Sequence, residues 1–495
     1  MWISAQEISQ HCTRDDCWVV INDHVWDLTT FAPEHPGGFS YRKAGRKPAA
    51  PPNLRICHTD ERFCTAIYRF AGHDATEAYN EVHSTDVITK ALDPNKLIGK
   101  IDRSSIDSNW TSRYIQQAEK QAEAKPPLGT ILNAHDFERV AQDTLSKKAW
   151  AFYSSAATDL VSINANRLFY NRIWFRPRLL RDVKLVSTKC IIQGVESALP
   201  VVVAPVALAR LANPIGEKGI AMAAAGKGHY SLCIPSPTTT FFFQLYVNKD
   251  HAQSESLLRQ VWELGIRTLF VTVDAPVPGK READERIRSE EVISMPMTGT
   301  KSHEDGTGSG LTRTTGSFID STFCWRDLVW LKQHWPGKMV LKGIQSVEDA
   351  QMAVQVGMDG IVLSNHGGRN LDTSPPALLT LLELQRHLPS IFGRTEVYVD
   401  GGIRRGTDIL KAICLGAKAV LIGRPFLYAL NYGQEGVKHL IDILELELQT
   451  AMRLVGITDL SQAHPGLVNT QDLDNLISRE MASSEYSWQG RHAKI

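Results

Sequence analysis

In the C-terminal three-quarters of this 495-residue chain, the polar side chains able to do chemistry gather where apolar runs end. Gln244 and Tyr246 close one run, Thr272 and Asp274 the next, followed by Lys342, His366 with Arg369, Asp400 with Arg404, and Arg424. Two of these places combine glycine with arginine: Asp400-Gly-Gly-Ile-Arg404 and Gly423-Arg424. Glycine lets backbone N–H groups come close to an anion, and an arginine fork matches its oxygens, so this chemistry is phosphate binding. Placement for structural reasons alone would not concentrate ionisable groups on one side of successive apolar runs.

The elements that must carry them can be counted. Apolar, β-rich runs cover 199–207, 230–235, 241–247, 267–276, 338–344, 360–367, 395–402 and 419–426, mostly with amphipathic helical stretches between them. Eight such units predict an α/β (β/α)8 TIM barrel, whose function sits at the C-terminal strand ends. The phosphate signature alone leaves other phosphate-binding barrels open, such as one acting on nucleoside monophosphates. Residues 1–100 read differently. Short apolar runs (Trp18-Val-Val-Ile21, Val25-Trp-Asp-Leu28) alternate with turns and lead into helical stretches, as in an α+β module. Residues 101–127 are polar and end in Pro126-Pro127, which predicts a linker; the barrel is expected over 128–480 and a tail over 481–495.

The small module contains His35-Pro-Gly-Gly38 and, in a helical stretch, His83. Two imidazoles on opposite sides of a flat cofactor can fill both axial positions of a haem iron and favour electron transfer. A His-Pro-Gly-Gly tetrapeptide by itself is more often a turn. Together with Trp18-Val-Val-Ile21, Val25-Trp-Asp-Leu28 and Ala71-Gly-His-Asp-Ala-Thr76, the module resembles the cytochrome b5-like domains. The resemblance implies haem b with His35 and His83 as iron ligands. Those histidines are 48 positions apart, about twice the usual separation in that family. The excess, residues 40–65, is basic, Pro-rich and poor in core residues, and predicts a loop.

In the larger region, Ser364-Asn-His-Gly-Gly-Arg369 together with Lys342 resembles the FMN-dependent 2-hydroxy-acid dehydrogenases. Phe137-Glu-Arg-Val-Ala, Lys147-Lys-Ala-Trp-Ala-Phe-Tyr-Ser-Ser, Trp174-Phe-Arg-Pro-Arg178, Gln244-Leu-Tyr-Val-Asn248 and Val271-Thr-Val-Asp-Ala-Pro276 extend the match. The resemblance implies FMN as cofactor and His366 as the base, with Asp274 supporting its imidazolium. It implies Arg369, Tyr246 and Arg281 at the substrate, with Phe152 at a substrate-contacting position. Lys342 would lie beside the flavin edge that gains negative charge, and Gln244 and Thr272 at the ring. Pro205, Ala207 and Asp400 would line the cofactor, and Gly402, Arg404, Gly423 and Arg424 would hold its phosphate. Arg281 opens a polar stretch, 282–316, similar to the family's active-site segment. The activity implied is oxidation of a lactate-like 2-hydroxy acid, with electrons passing from FMN to the haem and on to an acceptor such as cytochrome c. An oxidase that returns electrons to oxygen and a non-catalytic haem-binding protein are the competing readings. A homo-oligomer is implied by the resemblance alone.

Three positions depart from the family pattern. Phe152 stands where a tyrosine helps bind the substrate carboxylate, and Val206 where threonine is frequent near the flavin. The second and third strand runs are separated by only residues 236–240, although a parallel crossover needs about a dozen residues.

Lys+Arg and Asp+Glu are both 54, so no field of one sign argues for nucleic acid or an anionic membrane. Eight scattered cysteines without a Cys-x-x-Cys pair predict reduced thiols. The longest apolar stretch, 199–211, is too short to span a bilayer, and no secretory signal is evident. The expectation is a soluble intracellular protein, cytoplasmic or peroxisomal, since Ala493-Lys494-Ile495 is a loose relative of a peroxisomal address.

Overall fold

The structure is a computed structural model that describes residues 2–13, 15–32, 67, 70–76, 79, 88–89, 92–106, 110, 125–227, 230–231, 241–287, 311 and 316–478. Several expectations lie outside the described residues: the ligands His35 and His83, the 40–65 insertion, the 236–240 crossover, most of the linker and of the polar stretch after Arg281, and Ala493-Lys494-Ile495. The chain divides into two compact units, Met1–Ala124 with Arg288–Thr314, and Lys125–Ile287 with Thr315–Ile495.

The first unit is built on β1 (Trp2–Ser4), α1 (Ala5–Gln10), β2 (Cys12–Thr13), β3 (Asp16–Ile21), β4 (His24–Asp27) and β5 (Leu97–Asp102), in the sheet order β1-β5-β4-β3-β2. Asn22 and Asp23, both at positive φ (50° and 65°), make the turn between β3 and β4. That backbone matches the twist of the flanking strands, and Asn and Asp tolerate it best after glycine. Alternation along β3 sends Cys17, Val19 and Ile21 into one apolar cluster with Trp26, Leu28, Ala71 and Ala75, and Val20 into another with Ile3, Ile8, Val25 and Ile101. The 71–76 motif lies beside β3, where Gly72 N–H donates to the Trp18 carbonyl at 2.7 Å and Ala75 N–H to that of Val20 at 2.8 Å.

The second unit opens with α2 (Ala134–Thr144), α3 (Lys147–Ser154) and α4 (Val161–Asn171), then β6 (Trp174–Phe175) and a hairpin of β7 (Cys190–Ile192) and β8 (Val195–Ser197). Eight parallel strands follow: β9 (Val201–Val203), β10 (Tyr230–Ser231), β11 (Phe242–Leu245), β12 (Thr268–Thr272), β13 (Lys338–Ile344), β14 (Gly360–Leu363), β15 (Glu396–Asp400) and β16 (Ala419–Ile422). Their sheet order, β10-β9-β16-β15-β14-β13-β12-β11, is that of a (β/α)8 barrel with its second and third strands at the two ends of the list. Among the described residues no pairing joins β10 to β11.

Helices α5 (Gly216–Gly226), α6 (His251–Glu263), α7 (Glu282–Arg286), α8 (Asp327–His334), α9 (Val347–Gln355), α10 (Ala377–His387), α11 (Gly406–Cys414), α12 (Arg424–Leu430) and α13 (Gly433–Val455) connect and flank the strands. Inside, Val202, Phe242, Phe270, Val340, Val362, Tyr398 and Leu421 form a core that Ile192 of the hairpin joins. The hairpin turn sits across the N-terminal ends of three strands. Gln193 N–H donates to Glu396 Oε2 at 3.0 Å, its side-chain amide donates to the Asp359 carbonyl at 3.3 Å, and its carbonyl accepts from Lys338 Nζ at 2.7 Å.

All eight runs expected from the sequence contain a strand, yet most strands are shorter than their run. The run 199–207 yields Val201–Val203 and the run 360–367 yields Gly360–Leu363. Most of the excess lies at the C-terminal ends, where Pro205, Tyr246, Asp274, His366 and Gly402 leave the hydrogen-bonded ladder for loops. Those loops form the functional rim.

Candidate active site

The histidine loop is fixed before its chemistry is considered. His366 follows β14 at a positive φ of 56°, and its backbone N–H donates to Ser364 Oγ at 3.0 Å. Asn365 and Asn166 of α4 exchange amide hydrogen bonds at 2.8 and 3.0 Å, tying the loop to the helix. Asp372 accepts from the N–H of Asp159, Val161 and Ser162, which fastens the other end of the loop to the start of α4.

Asp274, at the end of β12, reaches His366 because of a glycine. A Cβ on Gly343 would lie 2.5 Å from Asp274 Cβ, so any side chain there would push the carboxylate away. With Gly343 present, Asp274 Oδ1 lies 2.8 Å from His366 Nδ1. Although burial opposes it, the attraction of His366 and Lys342 holds the Asp274 carboxyl below its ordinary value. An ionised carboxylate accepts from Nδ1–H, which leaves the lone pair on Nε2. Burial lowers the imidazole pKa, Asp274 partly offsets that, and Lys342 and Arg281 add to the lowering. The ring is therefore a neutral base with its free nitrogen 3.4 Å from the Tyr246 hydroxyl. Burial, reinforced by Asp274, pushes that phenol up to about 12, so it stays protonated as a donor.

Lys342 is 3% exposed. Its ammonium lies 3.0 Å from Asp400 Oδ2 and donates to Ser364 Oγ at 3.1 Å. Burial would strip its proton, but Asp400 and Asp274 outweigh that and keep it charged. The other oxygen of each carboxylate, Asp400 Oδ1 and Asp274 Oδ2, is buried with no hydrogen-bond partner among the described residues. Gln244 donates to Thr272 Oγ1 at 2.9 Å, so these two residues share one edge of the rim.

Three guanidinium groups crowd the remaining side. Arg369 donates to the carbonyls of Phe152 at 2.9 Å and Tyr153 at 3.2 Å, with its Cζ 5.2 Å from the Phe152 ring centre. Arg424 places Nε, Nη1 and Nη2 on the carbonyls of Tyr153, Gly367 and Ser155, each at 3.0 Å. Arg281, 7% exposed, donates from Nε to the Arg369 carbonyl at 3.2 Å. Burial first, and repulsion from neighbouring arginines second, lowers Arg369 and Arg424 to about 9 and Arg281 to about 10. An anion placed here would relieve that repulsion, as the carboxylate of an organic acid would.

Gly402, Arg404, Gly423 and Arg424, the residues expected at the phosphate, all follow directly on β15 and β16. Gly402 has φ +83°, and a Cβ there would lie 2.0 Å from the Asn166 carbonyl oxygen, so only glycine fits. Gly423 begins α12, with Ala204 and Val206 as its neighbours across the rim. Pro205 is half-buried and Ala207 exposed beyond β9. Arg404, however, pairs with Glu138 of α2, and its Nη1 lies 3.0 Å from His135 Nδ1. Phe152 is buried, and the hydroxyl of its neighbour Tyr153 donates to the Leu208 carbonyl. The sequence reading gave no role to Asn166, Asp372, Lys148 or Asp284; Ser364 and Asn365 stood inside the quoted His366 motif, where their polarity next to a histidine was the available signal.

The residues present fit FMN. A buried ammonium, a polar Gln244–Thr272 edge, an orphan carboxylate oxygen and glycine-lined backbone at 402 and 423 suit a flavin's polar edge and phosphate. In the first unit, the apolar cluster around Trp26, Leu28 and Ala71 can wall a flat macrocycle, and Trp26 Nε1 is buried without a partner among the described residues.

Comparison with known proteins agrees with this chemistry. The family described as FMN-dependent dehydrogenase matches residues 141–470, and the cytochrome b5-like heme/steroid binding domain matches residues 4–46. The chain is 37% identical over 502 residues to the L-lactate dehydrogenase (cytochrome) of Saccharomyces cerevisiae, covering 95% of this chain and 80% of that protein. It is 36% identical over 346 residues to 2-hydroxyacid oxidase 2 of Bos taurus, covering 67% of this chain and 97% of the relative. Among solved structures, a double mutant of flavocytochrome b2 with pyruvate bound aligns with a TM-score of 0.65 at 36% identity, over 78% of this chain and 98% of that one. Mandelate oxidase with (S)-4-hydroxymandelic acid aligns with a TM-score of 0.62 at 34% identity, over 68% and 98%.

Proposed function

The chain belongs to the FMN-dependent dehydrogenase family and carries a cytochrome b5-like module ahead of its barrel; from that premise we propose that it oxidises a lactate-like 2-hydroxy acid to the 2-keto acid. Electrons pass from FMN to haem b and on to an external acceptor such as cytochrome c. The observation that carries this reading is the His366–Asp274 pair at 2.8 Å, set beside half-buried Arg369 and buried Arg281. The relative that shares the haem module over nearly the whole chain is a dehydrogenase, which favours electron transfer to the haem over return to oxygen.

Arg369 and Arg281 hold the substrate carboxylate by charge-assisted hydrogen bonds. Tyr246, protonated, donates to the substrate hydroxyl. His366 takes one proton from the substrate on Nε2, and Asp274 stabilises the imidazolium that results. FMN, when bound, accepts the two electrons released as the carbinol carbon becomes a carbonyl. Lys342, kept charged by Asp400 and Asp274, offsets the negative charge that develops beside it. The oxidation removes two hydrogens and two electrons: His366 keeps one as a proton, bound FMN would take up the other together with the electrons, and the keto acid leaves with its carboxylate unchanged.

The test is an absorbance spectrum of the purified full chain. Sharp haem bands with a flavin shoulder, and haem reduction on adding L-lactate or a longer 2-hydroxy acid without oxygen, are expected. A flavin that is reduced while the haem stays oxidised, with peroxide formed in air, would replace the dehydrogenase by an oxidase.

No helix among the described residues is long and apolar enough to cross a membrane, and the cysteines described are free thiols. Free thiols suit a reducing compartment, the cytosol or the peroxisome, and a homo-oligomer is the assembly we infer from the family. Imaging of a fluorescent fusion and light scattering of the purified chain test these two points.

A further inference from the structure

Arg281 is 7% exposed, yet its two terminal nitrogens meet no partner among the described residues; its single hydrogen bond runs from Nε to the Arg369 carbonyl. A buried cation with open donors needs both a ligand and something to hold it in place. It stands at the N-terminal edge of α7, a five-residue helix too short to persist by itself.

External ties supply the order. Before Arg281, a Cβ on Gly279 would lie 2.3 Å from the Arg369 carbonyl oxygen, so the backbones touch, and the Lys280 carbonyl accepts from Thr158 N–H at 3.1 Å. After it, Asp284 is fully buried and pairs with Lys148 of α3 at 2.9 Å. The same ammonium donates to the carbonyls of Asp284 at 2.8 Å and Ile287 at 2.7 Å, closing the end of α7. Helix α3 also carries Phe152 and Tyr153, whose carbonyls seat Arg369. One helix thus positions both arginines, one through its backbone and the other through Lys148.

Resting on the hydroxy-acid reading above, we propose that Lys148 and Asp284 are a positioning pair that fixes Arg281 against the substrate carboxylate. Asp284 supplies negative charge to both Arg281 and Arg369, while Lys148 engages that carboxylate and keeps it from drawing the Arg281 fork out of the site. Neither residue touches the substrate. Their effect falls on how tightly the carboxylate is held.

The experiment compares the full-length holoenzyme with Asp284→Asn, Lys148→Met, Lys148→Arg and the apolar double variant Lys148→Met/Asp284→Leu. Removing one partner strands a buried charge and endangers the fold, whereas removing both leaves none, so the double variant separates stability from recognition. KM and kcat for L-lactate, or for whichever 2-hydroxy acid the wild type oxidises best, are measured with FMN content, thermal midpoint and inhibition by pyruvate. The expected result is a KM and a pyruvate inhibition constant raised roughly 10- to 100-fold in Asp284→Asn and in the double variant, the range set by a hydrogen bond to a charged group. In the double variant kcat, FMN content and midpoint stay near wild type, and Lys148→Arg recovers most of the affinity. A double variant that folds, binds FMN and keeps the wild-type KM and pyruvate inhibition overturns the proposal. So does a set of variants whose losses follow FMN content alone. A wild-type chain that oxidises no 2-hydroxy acid instead sinks the underlying functional reading, before any variant is compared.

Discussion

At the scale of single residues, the His366 imidazole must be neutral to accept a proton, and burial holds its pKa below the ordinary 6.5. His366 therefore sets an acid limb: activity falls as the pH drops through the lowered pKa. In Asp274→Asn the carboxylate that raises the imidazole pKa is gone, so the acid limb of kcat/KM moves to still lower pH. The plateau falls as well, by about 10²–10⁴, because the imidazolium loses its support. A pH profile whose acid limb moves upward would mean that Asp274 is not what tunes the base. A second residue-scale prediction concerns Phe152, whose ring lies against Arg369. The adjacent Tyr153 is no substitute donor, since it is buried with its hydroxyl on the Leu208 carbonyl. Phe152→Tyr adds a donor beside the carboxylate site and should raise kcat/KM for lactate about 10- to 100-fold, relative to larger apolar 2-hydroxy acids. Steady-state kinetics on lactate and an aromatic 2-hydroxy acid read this directly; an unchanged ratio would place the ring away from the substrate.

At the scale of elements, the close approach of the β15 loop to α4 depends on Gly402. Alanine at this position would combine a left-handed φ with a Cβ 2.0 Å from the Asn166 carbonyl oxygen. The conformational part alone costs about 1–2 kcal/mol. Gly402→Ala should lower the thermal midpoint by several degrees and the FMN bound per chain, read by calorimetry and flavin absorbance; a wild-type midpoint would show that the loop adapts. Strand number and order were legible from the sequence because apolar runs repeat with helical stretches between them. So was the polar rim, because ionisable residues cannot end apolar runs without reason. Strand length was not, since Val206, Ala207 and Val247 are apolar enough to extend a run even where the chain has left the ladder. Neither was the pairing of Arg404 with Glu138, because an arginine in a Gly-Gly-Ile-Arg segment looks the same whether its fork meets a phosphate or a helix 266 residues away in sequence. The supporting ties, Asn166 to Asn365 and Lys148 to Asp284, join residues 199 and 136 positions apart and leave no local pattern to read.

At the scale of the whole molecule, the haem module and the barrel are separate compact units, so changes in one can be tested with the other as an internal control. Residues 40–65, whose basic, Pro-rich composition predicts a loop, lie between β4 and the 71–76 segment, so deleting them should lower the entropy of closing that connection. The haem bands should survive the deletion, with flavin content unchanged. Loss of the haem bands alone would make the segment part of the haem fold. The hairpin at the barrel's base has a consequence of another kind. Gln193 is made early in synthesis, but its partners at Lys338, Asp359 and Glu396 emerge 145 to 203 residues later. A nascent chain halted before β13 carries the hairpin without the strand ends that receive it, with Ile192 lacking more than half of its surrounding core. Sealing the base is thus a late event on the ribosome, and until then the growing barrel leaves apolar surface uncovered.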